Sequence, residues 1–174
     1  MLEVRDDNET SWGKTLCGVP IAGPIGDAAE DLPAVIAIGD NAVRMRIAKE
    51  LDLEWKAVVH PRAFVDSTAK VGPGTVVFAN GAVQADAIIG AAGIVNTSSS
   101  IDHDCRLGPF CHVAPGVHLC GNVTLGEGVL MGVGSVAVPG VQVGEWSVVG
   151  AGSAVIRDLP AGCTAWGVPA APRK

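Results

Sequence analysis

From Val65 onward an aliphatic residue returns at every sixth position: Val65, Val71, Val77, Val83, Ile89, Val95, Ile101, Leu107, Val113, Leu119, Leu125, Met131, Ala137, Val143, Val149 and Val155. These sixteen positions follow one another without a slip of register. The position after the aliphatic residue is often glycine, at Gly72, Gly90, Gly108, Gly126, Gly132, Gly144 and Gly150. The fifth position of each hexad is small, running from Ala69, Thr75 and Gly81 through Cys105, Cys111 and Val117 to Ser153. Side chains alternate along a strand, so a short strand turns only every second residue inward. One branched and one small residue per hexad therefore point in, the remaining positions face out or turn, and glycine is expected to relieve strain at the corners. Three hexads close a triangular coil of eighteen residues, and successive coils pair their strands in parallel with stacked aliphatic ladders. Sixteen hexads make just over five coils. A β-sandwich would instead show turns every 8–12 residues at variable spacing.

The segment before the repeat reads differently. Residues 31–39, from Asp31 to Gly39, form an apolar strand running into a glycine turn. Asn41 is placed to cap a helix over about 42–51, and residues 55–59, beginning at Trp55, form a second strand closed by His60 and Pro61. Strand, turn, helix and strand suggest a piece of a parallel α/β sheet, in which ligands sit beyond the C-terminal strand ends. Gly39, Asp40 and Asn41 stand at that end. A glycine there that merely permits a tight turn is the competing reading.

Composition supports a solenoid. Hydrophobic residues make up 48% of the chain but aromatics only 4%, so the interior is narrow and filled by Val, Ala, Ile and Gly. The net charge is −6 with 12 Lys and Arg and no basic stretch, which argues against a nucleic-acid partner. No apolar run reaches membrane-spanning length and no signal-peptide core is visible, so a cytoplasmic location without membrane contact is expected. Five cysteines without a CxxC pair suggest neither a disulfide framework nor a zinc ribbon. Cys105 and Cys111 read as small fillers at the fifth position.

Histidine is the natural base near neutral pH, and the chain has four. His103 occupies the third, corner position of its hexad between Asp102 and Asp104, where a carboxylate can orient the imidazole and raise its basicity. A solvated Asp-His-Asp turn without a role is the alternative. Gly121 lies one coil after His103, so it stands beside that imidazole, leaves room there and offers a backbone N–H. Val133 and Ala151 are likewise one coil apart on another corner. His112 is half a coil from His103 and is not expected to meet it within one chain. His60 reads as a linker residue and His118 as a surface residue.

The six-residue pattern resembles the hexapeptide-repeat acyltransferases. The ordered series Asp6-Asp7, Trp12-Gly13-Lys14, Gly18-Val19-Pro20-Ile21, Ala37-Ile38-Gly39-Asp40-Asn41, Val58-Val59-His60-Pro61, Asn96-Thr97 and Ile101-Asp102-His103-Asp104-Cys105 narrows this to the sialic acid O-acetyltransferase and nucleotide-amino-sugar N-acetyltransferase family. The resemblance implies a mainly β fold: a left-handed parallel β-helix over residues 63–160, preceded at 1–62 by a small, truncated α/β (Rossmann-like) domain and followed at 161–174 by a C-terminal extension that folds back along the helix. Crossover preference alone would favour the right hand, so the handedness rests on the resemblance. Members of that family open with a strand and a glycine-rich loop bearing a histidine that touches the nucleotide. This chain starts later in the pattern, so either a truncated start or a sheet without its first strand and helix is expected.

For activity, the resemblance implies acetyl transfer from acetyl-CoA to a sugar amine or hydroxyl, on a nucleotide-linked amino sugar or sialic acid. It implies His103 as base with Asp104 beside it, Gly121 as oxyanion donor, and His112, Gly121, Val133 and Ala151 along the coenzyme A arm. Asp6, Asp7, Gly39, Asp40, Asn41 and Asn96 fall to the sugar substrate. A homotrimer with active sites between subunits, and no metal, completes the expectation. Two other readings stand beside it: a non-catalytic trimeric scaffold, and a zinc carbonic anhydrase on the same repeat, which would need three converging histidines.

Overall fold

The computed structural model describes residues 2–29 and 32–173; Asp31, the expected start of the apolar strand, lies outside them. The hexads form a parallel β-helix of two-residue strands on three faces. The first face carries Val58–Val59, Val76–Val77, Ile94–Val95, His112–Val113, Leu130–Met131 and Val148–Val149. The second carries Phe64–Val65, Ala82–Val83, Ser100–Ile101, His118–Leu119, Val136–Ala137 and Ala154–Val155. The third runs from Lys70–Val71 to Gln142–Val143. Every pairing among these hexad strands is in eighteen-residue register, as in Ile101 against Leu119.

The core is the pair of ladders read from the sequence. Val83, Val95, Ile101, Val113, Leu119, Leu125, Met131, Val149 and Val155 are all buried, as are the fifth-position residues from Ala87 to Ser153. Burying one such aliphatic side chain is worth roughly 1.5–3 kcal/mol, so a ladder shared between coils is the main stabilising term. Most fifth-position hydroxyls are spent internally: Thr75 Oγ1 donates to the Gly90 carbonyl at 2.8 Å and Ser147 Oγ to the Pro160 carbonyl at 2.7 Å, while buried Ser135 Oγ has no partner among the described residues. The buried thiols act the same way. Cys105 Sγ donates to the Cys120 carbonyl and Cys111 Sγ to the Gly126 carbonyl, and burial pushes these thiols up to about 11 and about 12. They are inert fillers.

The corners correct one expectation. The left-handed backbone falls on the fourth position of the hexad, at Asn80, Asp86, Asp104 and Asn122 among others, with glycine elsewhere, as at Gly116. The second-position glycines answer a different constraint. A Cβ on Gly90 would stand 2.5 Å from the Pro109 nitrogen of the next coil, and one on Gly126 would stand 2.5 Å from the Glu145 nitrogen. They are glycines because stacked backbones touch there, not because the corner needs an unusual dihedral.

The N-terminal region is thinner than expected. Val4–Arg5, Thr15–Leu16 and Val19–Gly23 form a small three-stranded sheet, with Cys17 and Gly18 at positive φ in the tight turn of its hairpin. The α/β pattern survives as one parallel bridge, Ala34 to Trp55, flanking helix α1 (Asn41–Glu50). Asp40, not Asn41, caps that helix, accepting from the Val43 N–H at 2.8 Å. Val58–Val59 is not a sheet strand of an α/β unit but the first rung of the solenoid, paired with Val76–Val77. Register with the coil outcompetes a sheet that has almost nothing else to pair with.

Helix α1 and residues 34–41 lie on the first face, where the outward row is apolar: Val58, Val76, Ile94, Leu130 and Val148, interrupted only by His112. Arg44, 1% exposed, fastens them. Its guanidinium donates to the carbonyls of Ala92 (2.7 Å), Phe110 (2.8 Å), Ile38 (3.0 Å) and Gly39 (3.2 Å) and to Asn41 Oδ1 (2.8 Å). No carboxylate pairs with it among the described residues. Burial brings it down to about 10. At the other end, Thr164–Gly167 adds to the first face and Ala170–Arg173 folds back antiparallel upon it. Among the described residues no helix is long and apolar enough to cross a membrane.

Candidate active site

His103 sits on the corner between the second and third faces, after Ser100–Ile101, with its side chain 54% exposed. Asp102 Oδ1 accepts from the His103 backbone N–H at 2.9 Å and so shapes the turn. Asp104, in the left-handed corner conformation at φ 59°, swings its carboxylate back to His103 Nδ1 at 2.8 Å. A carboxylate at that nitrogen fixes the proton on Nδ1 and leaves the Nε2 lone pair outward. The Asp104 hydrogen bond raises the imidazole above its ordinary value, with desolvation opposing it and the Asp102 and Asp104 charges helping.

The imidazole lies over Gly121. A Cβ on that glycine would stand 2.6 Å from both Cε1 and Nε2 of His103. The backbone of Gly121 is not in the left-handed region, so it is glycine because the ring occupies the space. Among the described residues its N–H donates to no protein acceptor, while its carbonyl takes the Gly140 N–H. A base nitrogen, an orienting carboxylate and an unspent amide thus share one corner, the two side chains exposed and the glycine buried against the ring. That set can deprotonate a nucleophile and steady an oxyanion.

His112 is in another environment. It projects from the first face into the groove under residues 35–39, lining a cavity of about 280 Å³ with Asn96, Ile36, Gly39, Val76, Phe78 and Ile94 among others. Its Nδ1 faces the Gly39 carbonyl at 3.3 Å and its Nε2 the Asn96 amide nitrogen at 3.2 Å. Burial pulls this imidazole below its ordinary value; the Gly39 carbonyl opposes that, and the Arg44 charge reinforces it. The cavity belongs to His112, and His103 lines neither this one nor the second.

The second cavity, about 200 Å³, opens between the start of α1 and the first face, bordered by Gly39, Asp40, Asn41, Gly128 and Trp146 among others. Most polar atoms of the expected substrate residues there are already engaged. Asp40 caps α1, while Asn41 Nδ2 donates to the Gly128 carbonyl at 3.0 Å and its Oδ1 accepts from Arg44. Asn96 Oδ1 accepts from the Thr97 N–H at 2.8 Å, which leaves its amide nitrogen for His112.

Asp6 and Asp7 are apart from both cavities. Asp6 holds Asn8 and Ser11, and Asp7 Oδ1 takes the Ile25 N–H at 2.9 Å, so they brace the small sheet. Val133 and Ala151 are exposed on the corner between the first and second faces, with the Gly152 N–H donating to the Val133 carbonyl at 2.8 Å. His118 is exposed, its Nδ1 2.7 Å from Ser100 Oγ. His60 Nδ1 accepts from the Arg62 N–H, closing the turn after the first rung. No three His, Cys, Asp or Glu side chains among the described residues gather as a metal site. Arg44 is the residue sequence reasoning missed: it shares the buried face of α1 with Ile47, three positions on, and that spacing was the available signal.

No protein-family model matches the chain. A 52-residue stretch is 42% identical to the UDP-N-acetylbacillosamine N-acetyltransferase of Bacillus subtilis, covering 28% of this chain and only 24% of that protein. Solved structures match far more. The acetyltransferase domain of PglB from Neisseria gonorrhoeae superposes with a TM-score of 0.91 at 34% identity, over 98% of this chain and 86% of that one. It has also been solved in complex with acetyl coenzyme A. PerB from Caulobacter crescentus, solved in complex with CoA and GDP-perosamine, gives a TM-score of 0.87 at 38% identity, over 90% of this chain and 80% of that one. The solenoid shares their architecture, a left-handed parallel β-helix.

Proposed function

The chain belongs to the hexapeptide-repeat sugar acetyltransferases, and on that premise we propose that it moves the acetyl group of acetyl-CoA to the amine of a nucleotide-linked amino sugar. PglB and PerB support the carrier, through their complexes with acetyl coenzyme A and CoA. GDP-perosamine, bound by PerB, and the Bacillus enzyme's name support a nucleotide sugar as acceptor. The choice of acceptor therefore narrows toward an amine, with a sugar hydroxyl, as in sialic acid, as the second acceptor class to be assayed.

The observation that carries the mechanism is the His103 ring, tied to Asp104 and lying on Gly121. The acceptor nitrogen attacks the thioester carbonyl carbon while His103 Nε2 takes its proton. The negative charge formed on the carbonyl oxygen is met by the Gly121 N–H. As the tetrahedral centre collapses the C–S bond breaks, and the imidazolium returns the proton to the coenzyme A thiolate. An acyl-enzyme is not required, because the acceptor attacks directly. Asp104 keeps the ring in the productive tautomer and stabilises the imidazolium.

The long arm of the carrier runs along exposed corners past Val133 and Ala151, with His112 beside the thioester end. The acceptor's sugar lies toward Asn96, and its nucleotide toward Gly39, Asp40 and Asn41. Asp6 and Asp7, engaged within the small sheet, act at most at the rim of that site. His103 and His112 project from different sides of one prism, so the complete site requires two chains: a homotrimer, with His103 from one subunit and His112 from its neighbour. The test is to incubate the protein with acetyl-CoA and a panel of UDP-, GDP- and dTDP-linked amino sugars, plus sialic acid, reading free thiol release. Release with an amino sugar and none with His103→Ala is expected. No release with any acceptor supports a non-catalytic scaffold instead.

A further inference from the structure

A guanidinium stripped of water and given no carboxylate is costly unless its donors are satisfied. Arg44 meets that cost with main-chain carbonyls from two successive coils, Ala92 and Phe110, and from its own turn, Ile38 and Gly39. A neutral, apolar residue could have packed α1 onto an apolar face without a buried charge. What the arginine adds is at Gly39, whose single carbonyl oxygen serves both Arg44 Nη1 and His112 Nδ1.

The rest of the array fixes the histidine from the other side. The Thr97 N–H donates to Asn96 Oδ1, which turns the Asn96 amide nitrogen to His112 Nε2. A donor at Nε2 and an acceptor at Nδ1 define one state of the ring: neutral, with its proton on Nδ1. The charged group facing the ring is Arg44, with Asp40 beside Arg44 at the helix cap; the cavity wall is otherwise neutral. A second positive charge on the imidazole would be repelled there.

We propose that Arg44 is a positioning residue for acetyl transfer: its clamp on the Gly39 carbonyl holds His112 as the neutral Nδ1–H tautomer and sets the wall of the cavity against which the acyl carrier or acceptor lies. This rests on the reading that the His112 cavity belongs to the transfer site. No atom of Arg44 need touch a substrate.

The test uses the whole protein with nitrogen-15-labelled histidine, as wild type, Arg44→Gln and Arg44→Lys, the last keeping the charge but losing the fork. In the wild type the His112 ring reads as Nδ1–H and titrates below the ordinary histidine value and below His103. In Arg44→Gln it titrates higher and samples both tautomers, and the KM for acetyl-CoA or the acceptor rises about tenfold, the size of one lost charge-assisted hydrogen bond. In Arg44→Lys the titration stays low while the tautomer is mixed. Amide exchange of α1 is followed in each. An unchanged ring in Arg44→Gln overturns the proposal. So does loss of α1 protection in both variants with the ring merely following it, which reduces Arg44 to a packing clamp. The ring measurements need no acceptor, so a protein that shows the expected ring changes but acetylates nothing sinks the proposed function and leaves the clamp standing.

Discussion

His103 and His112 are nine residues apart on the same repeat, and the protein treats them in opposite ways. Each has an oxygen at Nδ1, Asp104 Oδ2 for one and the Gly39 carbonyl for the other. At His103 the oxygen is a carboxylate on an open corner, and the ring becomes a stronger base. At His112 the oxygen is a neutral carbonyl in an apolar groove with a buried guanidinium behind it, and the ring becomes a weaker one. The hexad supplies only the address of each imidazole. Whether it is a proton acceptor or a fixed polar wall is decided by what the corner or the overlying segment brings to Nδ1 and by how far it buries the ring.

The largest expected effect breaks this contrast outright. His103→Ala lowers kcat by about 10²–10⁴-fold, the usual contribution of a positioned base. His112→Ala acts mainly on KM, because its ring is held neutral with both nitrogens engaged. Steady-state kinetics with acetyl-CoA and the best acceptor of the panel separate the two. Equal losses in kcat refute the division of roles. His103→Ala and His112→Ala subunits, mixed before assay at low substrate, regain sites of wild-type kcat/KM if neighbouring chains share a site, and give no more than the sum of the two separate variants if they do not.

A smaller but more local effect comes from Gly121→Ala. The new methyl group meets the His103 ring rather than main chain. The ring is the free end of an exposed side chain, so it moves and the coil does not. The melting temperature stays near that of the wild type while kcat falls about a hundredfold, the usual cost of an ångström's misplacement. Gly126→Ala is the control for the opposite case. Its Cβ meets the main chain of Glu145 in the next coil, so stability falls first.

These two glycines also mark what was legible beforehand. The period of six is imposed by geometry on every coil, so sixteen aliphatic positions announce the prism, its parallel register and the stacking of Gly121 beside His103. The reason for the second-position glycines was not legible, because the clash lies with a coil eighteen residues away. The true corner position was written more faintly, as Asn, Asp or Gly recurring at the fourth place: Gly74, Asn80, Asp86, Asp104, Gly116 and Asn122. Residues 2–57 repeat nothing. Their strands are two to five residues long, and their order depends on contacts such as Arg44 with Ala92 and Phe110, 48 and 66 residues distant. An arginine three places after Asn41 reads as a solvated helix face until the face beneath the helix is known. The Asp40 cap was misassigned to Asn41 for the same reason: both residues are good caps, and Asn41 is claimed by the Gly128 carbonyl.

Asp104→Asn sharpens the comparison without removing either ring. Asparagine tolerates the left-handed corner, so the turn survives and only the charge is lost. The imidazole then falls back toward its ordinary value. A base works only when unprotonated, so the acid limb of the kcat profile moves to lower pH, while the plateau drops by less than in His103→Ala. A pH–rate profile whose acid limb stays in place would show that His103 is not the group being titrated.

The least effect is expected from acid itself on the docking of the N-terminal segment. His112 is held below its unfolded value in the docked state, so its contribution is present in full above the unfolded value, near 6.5, and is lost as the pH falls through the lowered one. Below that point the ring carries a charge facing Arg44, and protonation of Nε2 also ends the hydrogen bond from Asn96. The protection factors of the α1 amides, corrected for the intrinsic pH dependence of exchange, therefore fall between neutral and mildly acid pH while the solenoid ladders keep theirs. In His112→Gln, which retains a polar side chain without a titrating ring, that pH dependence flattens. His103 gives no such signal: its raised value would favour the folded state toward acid, and on an open corner solvent screens the effect. Exchange that responds to pH equally in wild type and His112→Gln would place the sensitivity elsewhere and dissolve the opposition between the two imidazoles.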